Sequence, residues 1–272
     1  MDDERERWAL ILGASSGFGE ATALALAEDG YNIAGVHLDR RSGMRHVEEI
    51  LGRIMGLGRT ALFFNINAAD DSQRTETLAA LRARFDEAAA AGRRAYVRVL
   101  LHSLAFGTLK PFLASDPLQA ISRRNMEMTL DVMAHSLVYW TQDLVRGGFL
   151  DVGSRIFAMT SEGSTRVVAS YGAVSAAKSA LESHCRQLAL ELARSGSGVT
   201  CNAVRAGVTI TPALLAIPEK DEMIDYALKR NPSGRMTTTG DIARAIVALS
   251  RGGTEWVTGN VIGIDGGEFV TG

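Results

Sequence analysis

Short apolar runs alternate with longer amphipathic stretches along the whole chain. The apolar runs lie at 8–12, 33–38, 61–66, 96–101, 155–159, 199–204 and 261–264. Runs of this length, bounded by glycine or polar turns, are typical of buried strands. The stretches between them predict a helix over 20–29 and another that follows the second strand and ends at about 55. Further helices are predicted over about 71–91, 123–146, 172–194 and 241–250. The region 206–240 is predicted to be irregular with short helical pieces.

This alternation predicts an α/β architecture. Strands separated by helices of ten or more residues indicate βαβ units, and therefore a parallel sheet with helices on both faces. We predict one doubly wound, Rossmann-type domain over residues 1–272, with about seven strands. In such a fold, ligands bind at the carboxyl ends of the strands.

Composition narrows the classes of function. The chain has 272 residues, 46% of them hydrophobic and 22% charged, with a net charge of −2. This composition excludes a disordered chain and gives no basic surface for nucleic acid. Two cysteines, a charged stretch at 1–7 and the lack of an apolar run of about 18 residues predict a soluble, cytoplasmic protein without a membrane partner. The histidines show no metal-ligand spacing, so we expect no metal site.

The first turn carries candidate cofactor ligands. Three glycines in the pattern G-x-x-x-G-x-G follow the first strand and open the first helix, together with small or aromatic neighbours: Gly13, Ser15, Ser16, Gly17, Phe18 and Gly19. Small residues let backbone amides approach a pyrophosphate at the positive end of a helix. A purely structural tight turn is the alternative. The position after the first strand favours a dinucleotide site.

The ends of strands two and three suggest the adenosine side of that site. Asp39 lies 20 residues after Gly19, where a carboxylate can hold a ribose hydroxyl. Arg40 and Arg41 follow at once, and guanidinium groups suit a 2′-phosphate. We therefore expect NADPH, with NADH as the other possibility, although a solvated loop also explains these residues. Asn65 and Ile66 either flank the adenine or form a plain strand-end turn.

Tyr171 and Lys178 are the candidate reacting residues. Seven residues of helix bring them within about 20° of one face, with Cα atoms about 10.5 Å apart, so both can touch one bound cofactor. An ammonium can hold ribose hydroxyls and favours tyrosinate over tyrosine. A phenol at that place is a proton donor to developing oxyanion charge. Taken singly, each residue is more typical of ordinary packing or of a solvated face.

Over nearly its whole length the chain resembles the short-chain dehydrogenase/reductase family. The resemblance lies in the first turn, in Tyr171 with Lys178, and in a few further segments: Ser161, Asn202-Ala203, Ala206-Gly207 and Asp265-Gly266-Gly267. Most members carry Tyr-x-x-x-Lys, but this chain has Val174 four residues before the lysine. Its Tyr-x6-Lys spacing is similar to that of the enoyl-[acyl-carrier-protein] reductases. The segments 102–106, 206–211 and 231–236 resemble the same branch, the last one its triclosan-tolerant, NADPH-using type.

The resemblance implies a reaction and a set of roles. It implies hydride transfer from NAD(P)H to C3 of a trans-2-enoyl thioester in fatty acid biosynthesis, with Tyr171 stabilising or protonating the enolate and Lys178 holding the nicotinamide ribose. Other cofactor contacts implied are His102, Ser103, Gly207, Thr209 and Thr211. Implied substrate contacts are Leu104, Ala105, Phe106, Leu214 and Leu215. The resemblance also implies a substrate lid at about 206–240, with Ile217, Met223 and Ile224 as further lid residues. An acyl-carrier-protein-bound substrate and a homotetramer are implied as partners.

The chain also departs from that branch. Ser161 stands where the best-known enoyl reductases carry a second tyrosine, and it keeps the offset of the serine in ordinary members, so we count it with the catalytic residues. Asp131 replaces an asparagine of ordinary members, and Ser175 is a candidate substitute hydroxyl. A basic patch for an acidic carrier protein is indicated only weakly by Lys220, Lys229, Arg230 and Arg235, because acidic residues intervene.

Two other functions remain open at this point. One is a carbonyl or hydroxysteroid dehydrogenase, whose chemistry Val174 disfavours because valine cannot donate a proton. The other is a non-catalytic sensor that binds NADP(H) and acts through a partner. Turnover of an enoyl thioester separates the proposed enzyme from both.

Overall fold

The computed structural model describes residues 5–271; residues 1–4, part of the charged start, and residue 272 lie outside this range. Its sheet has seven strands: β1 (Arg5–Leu12), β2 (Asn32–His37), β3 (Ala61–Asn65), β4 (Arg94–His102), β5 (Leu150–Thr160), β6 (Thr200–Ala206) and β7 (Val261–Ile264). All neighbours are parallel, in the order β3-β2-β1-β4-β5-β6-β7. The predicted doubly wound α/β class is confirmed.

The helices also follow the predicted order. They are α1 (Gly17–Glu28), α2 (Met44–Gly56), α3 (Asp71–Ala90), α4 (Arg123–Leu130), α5 (Ser136–Arg146), α6 (Gly172–Arg194), α7 (Pro212–Leu215), α8 (Lys220–Arg230) and α9 (Thr239–Ser250). The single helix expected over 123–146 is interrupted by a π-helical turn at Asp131–His135. Strand β5 begins five residues earlier than expected, because Leu150 already pairs with β4 before an irregularity in the register.

Local chemistry explains where several helices begin. The Asp70 side chain accepts a hydrogen bond from the Gln73 amide at the start of α3. Reciprocal capping boxes, Ser122 with Asn125 and Thr238 with Asp241, begin α4 and α9. Such caps satisfy amides that have no partner inside the helix.

The alternation along β1 divides the core into two layers. Trp8, Leu10 and Leu12 face a cluster formed with α3, α5 and α6. Ala9 and Ile11 face the opposite cluster, formed with α1, α2 and α9. Successive side chains of a strand point to opposite faces, so a fully apolar strand needs cover on both sides. The carboxyl ends of the strands, which together form the carboxyl edge of the sheet, are the part that neither layer covers.

Within residues 5–271, no helix combines the length and the apolar character needed to cross a membrane.

Candidate functional site

The first turn leaves no room for side chains. Gly13 has φ +92° and Gly17 φ +57°, the left-handed region that glycine adopts at little cost. A Cβ atom on Gly13 would overlap the Ser103 carbonyl oxygen, and one on Gly19 would overlap the Gly13 carbonyl oxygen. The turn is therefore packed directly on the loop after β4, with the amino end of α1 open above it. This arrangement fits a phosphate group.

The ends of β2 and β3 are joined by hydrogen bonds of Asp39 and Asn65. The Asp39 amide donates to Asn65 Oδ1 at 3.0 Å, and Asn65 Nδ2 donates to the Asp39 carbonyl at 2.9 Å. The Asp39 carboxylate also lies 2.9 Å from His37 Nδ1. Arg40 and Arg41 are exposed, and within the described chain neither has an acidic partner within ion-pair distance. Asn65 thus positions Asp39, and the two guanidinium groups stay available for a ligand.

Lys178 lies two helical turns into α6 and is 6% exposed. Its Nζ donates to the Met159 carbonyl at 2.7 Å and to the Leu104 carbonyl at 3.3 Å. These bonds tie α6 to the ends of β5 and β4, and the third N–H of the ammonium remains for a ligand. Burial lowers the pKa of Lys178 to about 8, and the Glu182 carboxylate opposes that shift.

Tyr171 is the residue immediately before α6. A Cβ atom on Gly163 would lie 2.7 Å from the Tyr171 ring and 3.2 Å from Ser161 Oγ, so both side chains border the same glycine. Burial raises the pKa of Tyr171, and the Ser161 hydroxyl beside it opposes the shift. The expectation that the lysine field favours tyrosinate is wrong, because desolvation dominates. Tyr171 is a neutral phenol.

The two hydroxyls near Tyr171 differ in how they are bonded. Ser161 Oγ is buried and has no hydrogen bond of good geometry among residues 5–271. Ser175, the candidate substitute, donates to the Gly163 carbonyl instead. The Ser175 hydroxyl therefore fixes the turn next to Tyr171, while the Ser161 hydroxyl lies beside the Tyr171 phenol.

One cavity at the carboxyl edge brings most of the predicted residues together. Those lining it are Ser16, Gly17, Phe18, Ser103, Leu104, Ala105, Ser161, Tyr171, Lys178, Gly207, Thr209, Thr211, Leu214, Ile217 and Met223. Gly13, Ser15 and Gly19 form the turn beneath it, and Asp39, Arg40, Asn65 and Ile66 lie beyond it at the ends of β2 and β3. The geometry joins a glycine turn, a buried ammonium, a phenol and an apolar wall.

Four further predicted contacts do not line this cavity. His102 is fully buried, and its Nε2 is 2.9 Å from Ser136 Oγ. Burial, aided by the Lys178 charge, lowers the pKa of His102 to about 3, so this side chain is a neutral part of the core. Phe106 and Leu215 are 61% and 52% exposed and do not line the cavity, nor does Ile224.

Sequence reasoning missed part of the apolar wall. Leu109, Met133 and Val168 line the cavity from three separate segments. No local pattern distinguishes them from core or loop residues, because their approach depends on the path of the loops. Val174, singled out only as a departure, also lines the cavity.

The expected basic patch is mostly neutralised. Lys220 lies 3.8 Å from an Asp221 oxygen, and Arg235 lies 2.7 Å from Asp241. Arg230 is 7% exposed and turns inward. Only Lys229 of the four candidates is exposed without an ion pair in the described part of the chain.

No group of three or more histidine, cysteine or acidic side chains that could hold a metal ion occurs within residues 5–271.

Comparison with known proteins identifies the family of this chain. The family model described as enoyl-(acyl carrier protein) reductase matches residues 13–268. The chain is 27% identical over 271 residues to an NADPH-dependent aldehyde reductase-like protein of Arabidopsis thaliana, covering 96% of this chain and 93% of that one. It is 28% identical over 179 residues to the enoyl-[acyl-carrier-protein] reductase [NADH] FabI of Aquifex aeolicus, covering 64% of this chain and 63% of that one.

A crystal structure of the enoyl-[acyl-carrier-protein] reductase (NADH) from Aquifex aeolicus superposes with a TM-score of 0.82 at 23% identity, over 99% of this chain and 98% of that one. At this identity the likeness concerns the fold alone. The family model covers nearly the whole chain, including the glycine turn, Tyr171 and Lys178. The chain therefore belongs to the short-chain dehydrogenase/reductase family, in the group described by the enoyl-(acyl carrier protein) reductase model, and is an NAD(P)H-dependent oxidoreductase.

Proposed function

We propose that this protein reduces the C2=C3 bond of a trans-2-enoyl thioester, carried on an acyl-carrier protein, with NADPH as its cofactor. The observation that carries the proposal is the pair Tyr171 and Lys178 in one cavity, seven residues apart, with Val174 lining that cavity at the four-residue spacing. Among the described residues that line this cavity, the only phenol is thus Tyr171, at the spacing that resembles enoyl reductases.

The residues present fit a dinucleotide. The glycine turn has no space for Cβ atoms, and its open amides suit a pyrophosphate. Thr209 and Thr211 line the cavity opposite, and Lys178 keeps one N–H for ribose hydroxyls. Exposed Arg40 and Arg41 support NADPH, because a 2′-phosphate prefers a guanidinium partner.

The protein's own contribution to the reaction is electrostatic. Bound NAD(P)H supplies the hydride that reaches C3 of the substrate. The electron pair of the double bond then moves to the thioester oxygen, giving an enolate. Because its pKa is raised, Tyr171 keeps its proton and donates a hydrogen bond, or the proton itself, to that oxygen. Lys178 orients the ribose. The enol takes up a proton from solvent at C2 and returns its O–H proton to the Tyr171 phenolate, so that the net addition is one hydride and one solvent proton.

The cavity wall suits the acyl part of this substrate. Leu214, Ile217 and Met223 of the lid line the same cavity as Leu109 and Met133. Apolar side chains of this kind bind an alkyl chain and exclude water from the reacting atoms. The lid therefore supports an acyl substrate rather than a small polar one.

A second candidate function is reduction of a ketone or aldehyde. Its support is Ser161, whose hydroxyl borders Gly163 together with the Tyr171 ring and lies beside the phenol. Two hydroxyls at one point suit a carbonyl oxygen. The name of the Arabidopsis relative points the same way.

A substrate panel tests these proposals. Purified protein is given NADPH or NADH with crotonyl-acyl-carrier protein, crotonyl-CoA and a set of ketones and aldehydes, and cofactor oxidation is followed. We expect crotonyl thioesters to be reduced, faster with NADPH, and C3 to carry the label from a deuterated hydride donor. Turnover confined to ketones or aldehydes would establish the second candidate. Cofactor binding with no turnover on any substrate would indicate a sensor.

A further inference from the structure

Arg230, the last residue of α8, is buried although it is charged. Its side chain is 5% exposed. Nη2 donates to the Glu268 carbonyl at 2.8 Å and to the Thr271 carbonyl at 2.7 Å, and Nε donates to Thr271 at 3.1 Å. Nη1 lies 3.3 Å from Glu162 Oε2. The Thr271 hydroxyl returns a bond to the Arg230 carbonyl at 2.8 Å.

The Glu162 end of this network reaches the reacting residues. Glu162 stands between Ser161 and Gly163, which both border the Tyr171 ring. The same carboxylate oxygen also lies 3.4 Å from Arg166 Nε. Arg230 thus connects the carboxyl end of α8 to the segment 161–163, which borders the Tyr171 side chain.

The other end of the network reaches the loop after β6. The Glu268 carboxylate accepts a hydrogen bond from the Val208 amide at 3.2 Å, and Val208 lines the cavity. Asn231, the residue after α8, donates to the Asp265 carbonyl at 2.9 Å. The segment 265–271 is therefore fastened to the lid, to the loop after β6 and, through Arg230, to Glu162.

We propose that Arg230 is a positioning residue. It anchors the carboxyl end of α8, the longer helix of the lid, to Glu162 and to the segment 268–271, so that the lid opens from its α7 end. Removing the guanidinium would leave unmade three hydrogen bonds to the Glu268 and Thr271 carbonyls and one ion pair to Glu162, which would keep Arg166 as its partner. At the amino end of α8, the ion pair that Lys220 makes within residues 5–271 is with its exposed neighbour Asp221. The anchoring role of Arg230 does not depend on which substrate the protein reduces. Only its effect on KM rests on the proposed function.

Hydrogen exchange of the full chain tests the anchor. The variants are Arg230→Met, Arg230→Lys and, as a matched control, Lys229→Met on the exposed face of the same helix. In the parent protein we expect slower amide exchange over 223–231 than over 212–219. Arg230→Met should speed exchange over 223–231 by about tenfold or more, since hydrogen bonds to charged groups are worth that much. Arg230→Lys should restore part of the protection, and Lys229→Met should change nothing.

Steady-state kinetics with crotonyl-CoA separates positioning from mere stability. We expect Arg230→Met to raise KM about tenfold with a smaller change in kcat. Unchanged exchange over 223–231 in Arg230→Met would overturn the anchoring role. Parallel losses of kcat, NADPH affinity and melting temperature in both Arg230 variants would overturn it as well. Should Arg230→Met fail to fold, Glu162→Gln replaces it: faster exchange over 223–231 supports the anchor, and no change overturns it. If crotonyl-CoA is not reduced, the proposed function fails and the exchange data still decide the anchor.

Discussion

At the scale of single residues, desolvation decides which protons move. Tyr171 immediately precedes α6 and Lys178 lies within it; both line the cavity, and burial acts on their pKa values in opposite directions. The phenol becomes a poorer acid and stays neutral, while the ammonium becomes easier to deprotonate. Tyr171 therefore holds its proton in the free protein, which is the protonation state that a hydrogen-bond donor to an oxyanion needs.

Replacing Tyr171 by phenylalanine removes only the hydroxyl. We expect kcat for crotonyl thioester to fall on the order of 10²–10³-fold, the typical loss for one donor to a developing oxyanion. The NADPH dissociation constant, measured by fluorescence, should stay within a factor of about two, because the ring remains. Tyr226→Phe, on the exposed side of α8, is the control and should retain full activity. Near-normal turnover by Tyr171→Phe would remove the phenol from the mechanism.

The lowered pKa of Lys178 predicts how cofactor affinity depends on pH. Below pH 8 the ammonium is charged and can hold the ribose; above pH 8 the free protein loses that charge. The NADPH dissociation constant should therefore rise as pH increases through about 8, at most tenfold per pH unit. Binding titrations between pH 6.5 and 9.5 measure it, and Lys178→Met should bind more weakly with no inflection near 8. A flat wild-type profile, or an inflection that persists in Lys178→Met, contradicts this role.

At the scale of elements, the glycine turn joins two parts of the site. The amino end of α1 can approach the loop after β4 only because Gly13 and Gly19 lack side chains. Helix α6 performs the corresponding task on the other side, where Lys178 binds the Met159 and Leu104 carbonyls. Strand ends and helix ends thus hold each other at the edge where the cavity lies.

A pair of glycine-to-alanine changes tests the packing of the turn. Gly19→Ala would press a methyl group onto the Gly13 carbonyl oxygen, so we expect it to destabilise the protein by about 1–3 kcal/mol and to weaken NADPH binding. Gly52→Ala, inside α2 with open space around it, should instead stabilise the protein by about 0.5–1 kcal/mol. Urea unfolding and cofactor titration measure both. Equal stability of the two variants would show that the turn tolerates a side chain.

At the scale of the whole molecule, strand order explains why distant segments form one site. The order β3-β2-β1-β4-β5-β6-β7 places β4 between β1 and β5, so the loops after all three strands meet. Two apolar layers cover the faces of the sheet and leave its carboxyl edge to the loops. Helices α7 and α8 lie at that edge, where Leu214 and Met223 line the cavity and the buried Arg230 ends α8.

The sequence alone determined the class of fold, the number of strands, the glycine turn and the Tyr171–Lys178 pair. Each of these depends on periodicity or on spacing within one element, where helix and strand geometry leave little freedom. Helix α6 illustrates this, since both of its predicted ends are correct.

Only the tertiary structure decided the protonation of Tyr171, the burial of His102, the inward turn of Arg230 and the contribution of Met133 to the cavity. Each of these depends on what surrounds a side chain, and those neighbours come from elements far apart in the chain. Burial of a charge or a phenol is a property of the packed molecule, so no local pattern in the sequence can specify it.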